Sequence, residues 1–414
     1  MKIGILTYHA VSNFGAQLQA LSTVSYLSKN GYVPIIINWY PEDLEKLYEN
    51  IAHEEQLKTH ADFVKNYLPV TKLCRTESEV ISTIIEENIE ALIVGSDAVL
   101  NYQTFFSTFS IGMKGIKIKK RFSNTSYPNP FWGNFVEKLS KNIPRIMMSV
   151  SAQDVTYQQI TGKVKKEMEQ SLLRFDYISV RDSWTQNMVK YLTKGFIIPE
   201  ITPDPVFAFS HNANELILTK KDILKKFNLP ENYILLSFYK GLPGVSTEWL
   251  NKFEALAKKA EYASVALCFP GGIGFNHHLK YKIDTPLSPL DWYALIKYSQ
   301  GYIGHKMHPI VISIHNGTPF YSFDNYGIVK YKYFVNSKSS KIFHILKESD
   351  LLKNRCIATG RLSYKEPSPE IVLNSILHFE KNKCIKFSEK YLSKYLVMMK
   401  AIEDTLNNNT NICI

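Results

Sequence analysis

The feature that most constrains this chain is a repeated alternation of short apolar runs with stretches of helical spacing. Lys2 to Thr7 has the pattern of a buried strand. After a polar loop, Phe14, Leu18, Leu21 and Val24 recur at helical spacing until Asn30 and Gly31 stop them, and Val33 to Ile37 is apolar again. A strand, a helix and a second strand within about forty residues make a βαβ unit, whose crossover is right-handed. The rhythm continues through Ala91 to Val94, Arg145 to Val150 and Tyr177 to Val180, the last two separated by an amphipathic run from Val164 to Phe175. A second series, Tyr233 to Phe238, Ser264 to Phe269, Tyr302 to Gly304 and Phe320 to Phe323, follows the segment ITPDPVFAFSHNAN at Ile201 to Asn214, where two prolines interrupt the periodicity.

A chain of 414 residues with 45% hydrophobic residues is too long for one ordinary core and too apolar to be disordered. The expected class is therefore α/β: two facing doubly wound, Rossmann-like domains over residues 1–205 and 206–375, with a helical tail over residues 376–414 packing back across them. No apolar run approaches the length of a membrane span, and MKIGILTYHA turns polar too early for a signal peptide, so the expected location is the cytoplasm. The five cysteines, Cys74, Cys268, Cys356, Cys384 and Cys413, are scattered without C-x-x-C spacing, which argues for reduced thiols and against zinc. A formal charge of +11 points to anionic partners. Neither zinc-finger spacing nor an RNP-type aromatic strand is present, and this argues against nucleic acid.

Within the second series, GYIGHKMHPIVISIHNGTPFYSFD at Gly301 to Asp324 places His305, Lys306 and His308 between a short strand and the start of a helix. Pro309 suits a first helical position, which would set His308 at the cap, and Gly317 ends the helix. A lysine and two imidazoles beside the unpaired amides of a first turn favour phosphate or carboxylate, and an imidazole there can donate a proton. A histidine at a helix start can equally be a simple cap.

Other candidates stand at the ends of strands. Asp97, in VGSD, projects where a carboxylate could accept a proton from a sugar hydroxyl, or it could cap the next helix. Arg181, after YISV, is shaped for a bidentate grip on carboxylate or phosphate. Asp204 precedes a proline and could merely brace a turn. The loop HAVSNFGAQLQA has a single glycine and so lacks the G-x-G-x-x-G of a dinucleotide site. Its Asn13, Gln17 and Gln19 suit a hydroxyl-rich ligand, or else form a cap with a solvent-facing glutamine pair. GLPG at Gly241 to Gly244 and PGGIG at Pro270 to Gly274, with Gly272 at its centre, could cradle phosphate or simply turn the chain. The adjacent His277 and His278 point apart and have no acidic partner at ligand spacing, so no metal is expected.

In order and spacing, NFGAQLQA, VGSD, SVRD at Ser179 to Asp182, PDP at Pro203 to Pro205, and KMH followed by NGTPF resemble the polysaccharide pyruvyl transferase family over about Met1 to Asp324. The resemblance implies a fold like that of the GT-B glycosyltransferases, with phosphoenolpyruvate as donor and no separate cofactor. It implies as acceptor a sugar of a cell-surface, capsular or exopolysaccharide precursor, which can be a lipid-linked oligosaccharide at the inner membrane leaflet. The family's functional aspartate falls on Asp97, its arginine on Arg181, and its basic, apolar and histidine triplet on Lys306, Met307 and His308. Two departures stand out: the usual arginine is Lys306, which lacks the bidentate fork, and the usual Ser-Asp before it is Gly304 and His305. The chemistry expected on this basis has His308 protonating the enol pyruvate, Arg181 and Lys306 holding its carboxylate and phosphate with help from His305, and Asp97 taking the proton of the attacking hydroxyl. A GT-B glycosyltransferase using a nucleotide sugar, or a non-catalytic carbohydrate- or anion-binding protein, would carry much of the same pattern.

Overall fold

The computed structural model describes residues 1–104, 108–112, 115–118, 120–153, 155–239, 245–330, 334–336, 339–360 and 362–410. The glycine segment Gly241 to Gly244 lies outside them. In chain order the first half supplies β1 (Lys2–Leu6), β2 (Val33–Ile36), β3 (Ala91–Asp97), a hairpin of β4 (Phe109–Gly112) and β5 (Gly115–Ile118), then β6 (Arg145–Val150), β7 (Tyr177–Val180) and β8 (Glu200–Ile201). The second half supplies β9 (Tyr233–Ser237), β10 (Ala263–Leu267), β11 (Tyr281–Ile283), β12 (Gly301–Gly304), β13 (Phe320–Asp324), a hairpin of β14 (Ile328–Lys330) and β15 (Phe334–Asn336), and β16 (Arg355–Ile357).

Two six-stranded sheets result, ordered β2-β1-β3-β6-β7-β8 and β11-β10-β9-β12-β13-β16. Every pairing within them is parallel, as crossovers through helices require. The central strands are apolar on both faces because helices cover both sides: Ile3, Ile5, Ala91 to Val94 and Tyr233 to Leu236 have no solvent exposure. Sequence periodicity did not reveal the two hairpins, and within the six-stranded sheets it missed β8, β11 and β16, outer strands of two or three residues that are too short to show a period.

The topology fixes where a ligand can bind. In the first sheet the direction of strand addition reverses between β1 and β3, and in the second between β9 and β12. At such a reversal the loops leaving adjacent strands part to opposite faces, and this opens a crevice beyond their carboxyl ends.

The Phe14–Lys29 helix is a wedge between the two halves. It is buried along nearly its whole length, and its Ser22 Oγ donates to the Pro205 carbonyl at 2.7 Å. Phe14 packs against Trp292 with ring centroids 5.2 Å apart and the rings tilted by 32°. One continuous apolar cluster joins Ile3, Ile5 and Phe14 to Tyr302, Ile310 and Val311. The Lys381–Thr410 helix spans both halves. Its Cys384 and Ser388 donate to the carbonyls of Ile314 and His315 at 3.3 and 3.1 Å, while Met398 Sδ accepts from Ser149 Oγ at 3.2 Å and Glu403 accepts from Tyr26 at 3.0 Å.

Two expectations change. The helix after β12 runs Met307–Asn316, with Lys306 rather than His308 at its cap, so His308 and Pro309 are its second and third residues. Proline is tolerated there because the first turn's amides have no intrahelical acceptor to lose. Gln17 and Gln19 are buried rather than solvent-facing, because the helix that carries them is enclosed by both halves.

Candidate active site

The residues following β1, β3, β9 and β12 converge on one cleft of about 620 Å³ that contains Tyr8, Asp97, Tyr239 and Lys306. Both topological reversals therefore open into the same space. Its two walls differ in chemistry. The first half contributes neutral hydroxyl and amide groups, including Ser12, Asn13, Tyr48, Asn101 and Asn124, together with the Asp97 carboxylate. The second half contributes Lys306, His308, Lys341 and the Gly271–Gly272 turn.

Asp97 and Lys306 both hold left-handed backbone conformations, with φ of 79° and 82°. Non-glycine residues rarely adopt this region, and it persists where surrounding structure enforces it, commonly at functional sites. Lys306 Nζ lies 4.7 Å from the Tyr239 ring centroid, and Tyr239 is itself stacked on Phe269 at 4.2 Å. Burial lowers the Lys306 ammonium from the usual lysine value.

His308 sits on the cleft wall against the Phe14–Lys29 helix. A β-carbon added at Gly15 would fall 2.1 Å from its Nδ1 and 2.2 Å from its Cγ, so the ring occupies space that only glycine leaves open. Its Nε2 lies 3.7 Å from Asp204 Oδ2, within ion-pair reach but longer than a hydrogen bond, and has no nearer hydrogen-bond partner among the described residues.

Asp204 is the hub of a buried polar network behind that wall. Oδ2 accepts from Gln19 Nε2 at 2.5 Å and from Arg181 Nη1 at 2.7 Å, and Oδ1 accepts from the Val206 amide at 2.9 Å. Burial alone would raise the Asp204 carboxyl, but His308, the Arg181 charge and the Val206 amide outweigh it and hold it well below the usual carboxylate range. Arg181 also reaches Asp97 Oδ1 at 3.4 Å. Burial opposes its charge; Asp204, Asp97 and Asp182 overcome this and raise its pKa.

Of the residues singled out from sequence, Asn13, Asp97, Gly272, Lys306 and His308 line the cleft, while Gln19, Arg181, His305 and Met307 do not. Asn13 is engaged as a helix cap, accepting from the amides of Gly15 and Ala16 at 3.1 and 3.3 Å. Gln19 and Arg181 are held by Asp204 behind the wall. His305 is fully buried, its ring among Phe238, Tyr239 and Phe323, with Nδ1 accepting from the Tyr239 amide at 3.2 Å. That ring supports the aromatic platform under Lys306. Met307 is core, 1% exposed.

Three functional candidates escaped sequence reading. Asp204 reads as a turn residue from its neighbours alone because its partners are distant in sequence. Gly15 reads only as the single glycine of a loop that lacks a dinucleotide motif. Lys341 gave no signal at all: it opens the Lys341–Glu348 helix, lines the cleft, and places Nζ 4.6 Å from the Tyr326 ring centroid. Burial, followed by the Arg181 charge, lowers its pKa to about 8. Among the described residues, no group of three or more His, Cys, Asp or Glu side chains could hold a metal ion, and no helix is long and apolar enough to cross a membrane.

Two parallel sheets facing across a cleft, joined by a long terminal helix, define a GT-B protein. The structure is similar to UDP-GlcNAc 2-epimerase from Neisseria meningitidis bound to UDP-GlcNAc, with a TM-score of 0.55 and 12% identity over 99% of this chain and 100% of that one. It is also similar to Medicago truncatula UGT71G1 complexed with UDP-glucose, with a TM-score of 0.52 and 10% identity over 98% of each chain. An α-glucosyltransferase in complex with UDP and a DNA 13-mer gives a TM-score of 0.50 and 9% identity, over 98% of this chain and 99% of that one. Identities this low establish the fold alone. No curated protein matches the sequence. A family model described as polysaccharide pyruvyl transferase matches residues 13–326, most of the chain, and the protein belongs to that family.

Proposed function

We propose that this pyruvyltransferase moves pyruvate from phosphoenolpyruvate onto two hydroxyls of one sugar in a cell-surface polysaccharide precursor, forming a ketal and releasing inorganic phosphate. The observation that carries this reading is the polarity of the cleft: a neutral, hydroxyl-binding wall with one carboxylate faces a cationic wall with one imidazole. A sugar is recognised by the first and a phosphorylated carboxylate by the second.

In this mechanism His308 donates a proton to the methylene carbon of phosphoenolpyruvate, leaving a cationic centre at the adjacent carbon. One sugar hydroxyl attacks that centre while Asp97 takes its proton. The carbon–oxygen bond to phosphate then breaks, the second hydroxyl attacks and passes its proton to the departing phosphate, and the ketal closes. Asp204, 3.7 Å from His308 Nε2, orients the ring in the way a buried carboxylate orients a catalytic imidazole. Arg181, spent on Asp97 and Asp204, positions both carboxylates, and the donor's charges fall to the lysines of the cleft. A lipid-linked oligosaccharide at a membrane face fits as acceptor, given the basic surplus of the chain.

The test is incubation of the protein with phosphoenolpyruvate and candidate glycans, read by phosphate release and by mass spectrometry of the glycan. Replacing His308 with Ala is expected to abolish both signals. Undiminished phosphate release from that variant would remove His308 from the mechanism. Thermal-shift measurements with phosphoenolpyruvate and with UDP-sugars separate this reading from nucleotide-sugar transfer, because a ligand that binds the native state raises its midpoint.

A further inference from the structure

We propose that Lys306 and Lys341 together form a clamp for a phosphate dianion, and that Lys341, which lies beyond the family-matched residues 13–326, supplies the second contact that the lysine at position 306 cannot give as a bidentate arginine would, and a second charge with it.

The two lysines come from the ends of neighbouring strands. Lys306 follows β12. Lys341 begins a helix whose cap, Ser340, donates to Asp324 Oδ2 at 2.6 Å, and Asp324 is the last residue of β13. Arg355 Nε at 2.6 Å and the Tyr326 amide at 2.9 Å bind the same carboxylate, so the start of the Lys341 helix is tied to the sheet and not left to a mobile loop. Each ammonium lies over a tyrosine ring, Tyr239 for Lys306 and Tyr326 for Lys341, and each faces the cleft.

Neither lysine has a carboxylate ion-pair partner among the described residues, although Asp97 and Asp182 are near enough to favour the charge on Lys341. Asp204 is taken by Gln19 and Arg181, and Asp97 by Arg181. Asp182 accepts from the Thr185 amide at 2.7 Å and from Ser151 Oγ at 2.9 Å. Two desolvated ammonium groups with their counter-charges committed elsewhere are costly in the free protein. A ligand bringing two negative charges on one compact group offsets that cost. Phosphate has this charge density, and a carboxylate alone does not neutralise both. In the reaction proposed above, on which the assignment to the leaving phosphate rests, the clamp bears charge that grows as the carbon–oxygen bond breaks, where such stabilisation is most effective.

The experiment uses the full chain and Lys341→Met, which keeps the stem over Tyr326 and removes the charge, with Lys341→Arg as the charge-retaining variant and Lys353→Ala as a surface control. Thermal shifts are measured with inorganic phosphate, phosphoenolpyruvate and UDP. The expected result is stabilisation of the wild type by phosphate and phosphoenolpyruvate. For Lys341→Met the apparent affinity for both should fall about tenfold or more, the loss of one charge-assisted contact. Binding should persist in Lys341→Arg and Lys353→Ala. Lys341→Met should also be the more stable protein without ligand. A wild-type response to phosphate that Lys341→Met shares in full overturns the clamp while leaving the transfer reaction standing. A response to UDP but not to phosphoenolpyruvate, lost in Lys341→Met, keeps the clamp and overturns the reaction. No response of the wild type to any of the three overturns the clamp.

Discussion

Replacing Gly15 with alanine asks whether the seat of His308 is required for chemistry separately from folding. The added β-carbon would stand 2.1 Å from Nδ1 and 2.2 Å from Cγ of the imidazole. Unbonded heavy atoms settle at about 3.5 Å or more, so the ring must retreat by roughly 1.4 Å. Gly15 is in the first turn of a helix and its amide still bonds Asn13, so the substitution removes no hydrogen bond, and up to about 1 kcal/mol of helix propensity partly offsets an overpacking cost of about 1–3 kcal/mol. A catalytic group misplaced by about 1 Å loses on the order of a hundredfold in rate. The expected protein therefore unfolds within a few degrees of the wild type while its turnover, measured as phosphate release from phosphoenolpyruvate with acceptor present, falls by about a hundredfold or more. Because the new methyl also borders the cleft, a double-mutant cycle is needed. If Gly15 acts through His308 alone, Gly15→Ala adds nothing to His308→Ala. Wild-type turnover in Gly15→Ala, or full additivity in the cycle, would refute the argument that His308 works from this seat.

Further expectations concern the buried network and the lysines. Asp204→Asn leaves the Arg181 guanidinium short of its nearest counter-charge in a fully buried site and should lower stability by about 3–5 kcal/mol in denaturant titrations. The folded Asp204 carboxyl is held below its unfolded value, so its stabilising contribution is complete above about pH 4 and is lost as pH falls further. Acid titration of wild type against Asp204→Asn should show the gap closing in that direction. Lys341, with a pKa of about 8, sheds its charge as pH rises through that value. The KM for phosphoenolpyruvate should therefore climb above pH 8, and Lys341→Arg should flatten the climb; an unchanged pH profile would dissociate Lys341 from donor binding. The unfolded state binds this proton up to about pH 10, so the free protein should gain stability between these values.

Much of the scaffold could be read from the residues in order. The apolar runs at Lys2 to Thr7, Arg145 to Val150 and Tyr177 to Val180 are strands at or near their expected limits, and Gly317 ends its helix as its type predicts. Strand ends then locate candidate residues without coordinates, because in parallel sheets ligands lie beyond carboxyl ends, and Asp97, Lys306 and His308 were placed on that logic. These are local properties: period, capping and turn chemistry act over a few neighbouring residues.

What the chain order could not disclose is how those residues divide the work. Gln19, Arg181 and His308 meet Asp204 although Gln19 is 185 positions away from it; the first two reach it when the first half folds, and His308 joins only once the second half closes on the Phe14–Lys29 helix. Folding of the first half makes Arg181 a buried anchor between Asp97 and Asp204, folding of the second sends His305 into an aromatic core, and closure of the two makes Gly15 the floor beneath an imidazole. It also carries Lys341 into the cleft. Burial and the distribution of counter-charge are properties of the packed whole, so sequence supplied the reactive groups and tertiary structure decided which of them face the ligand.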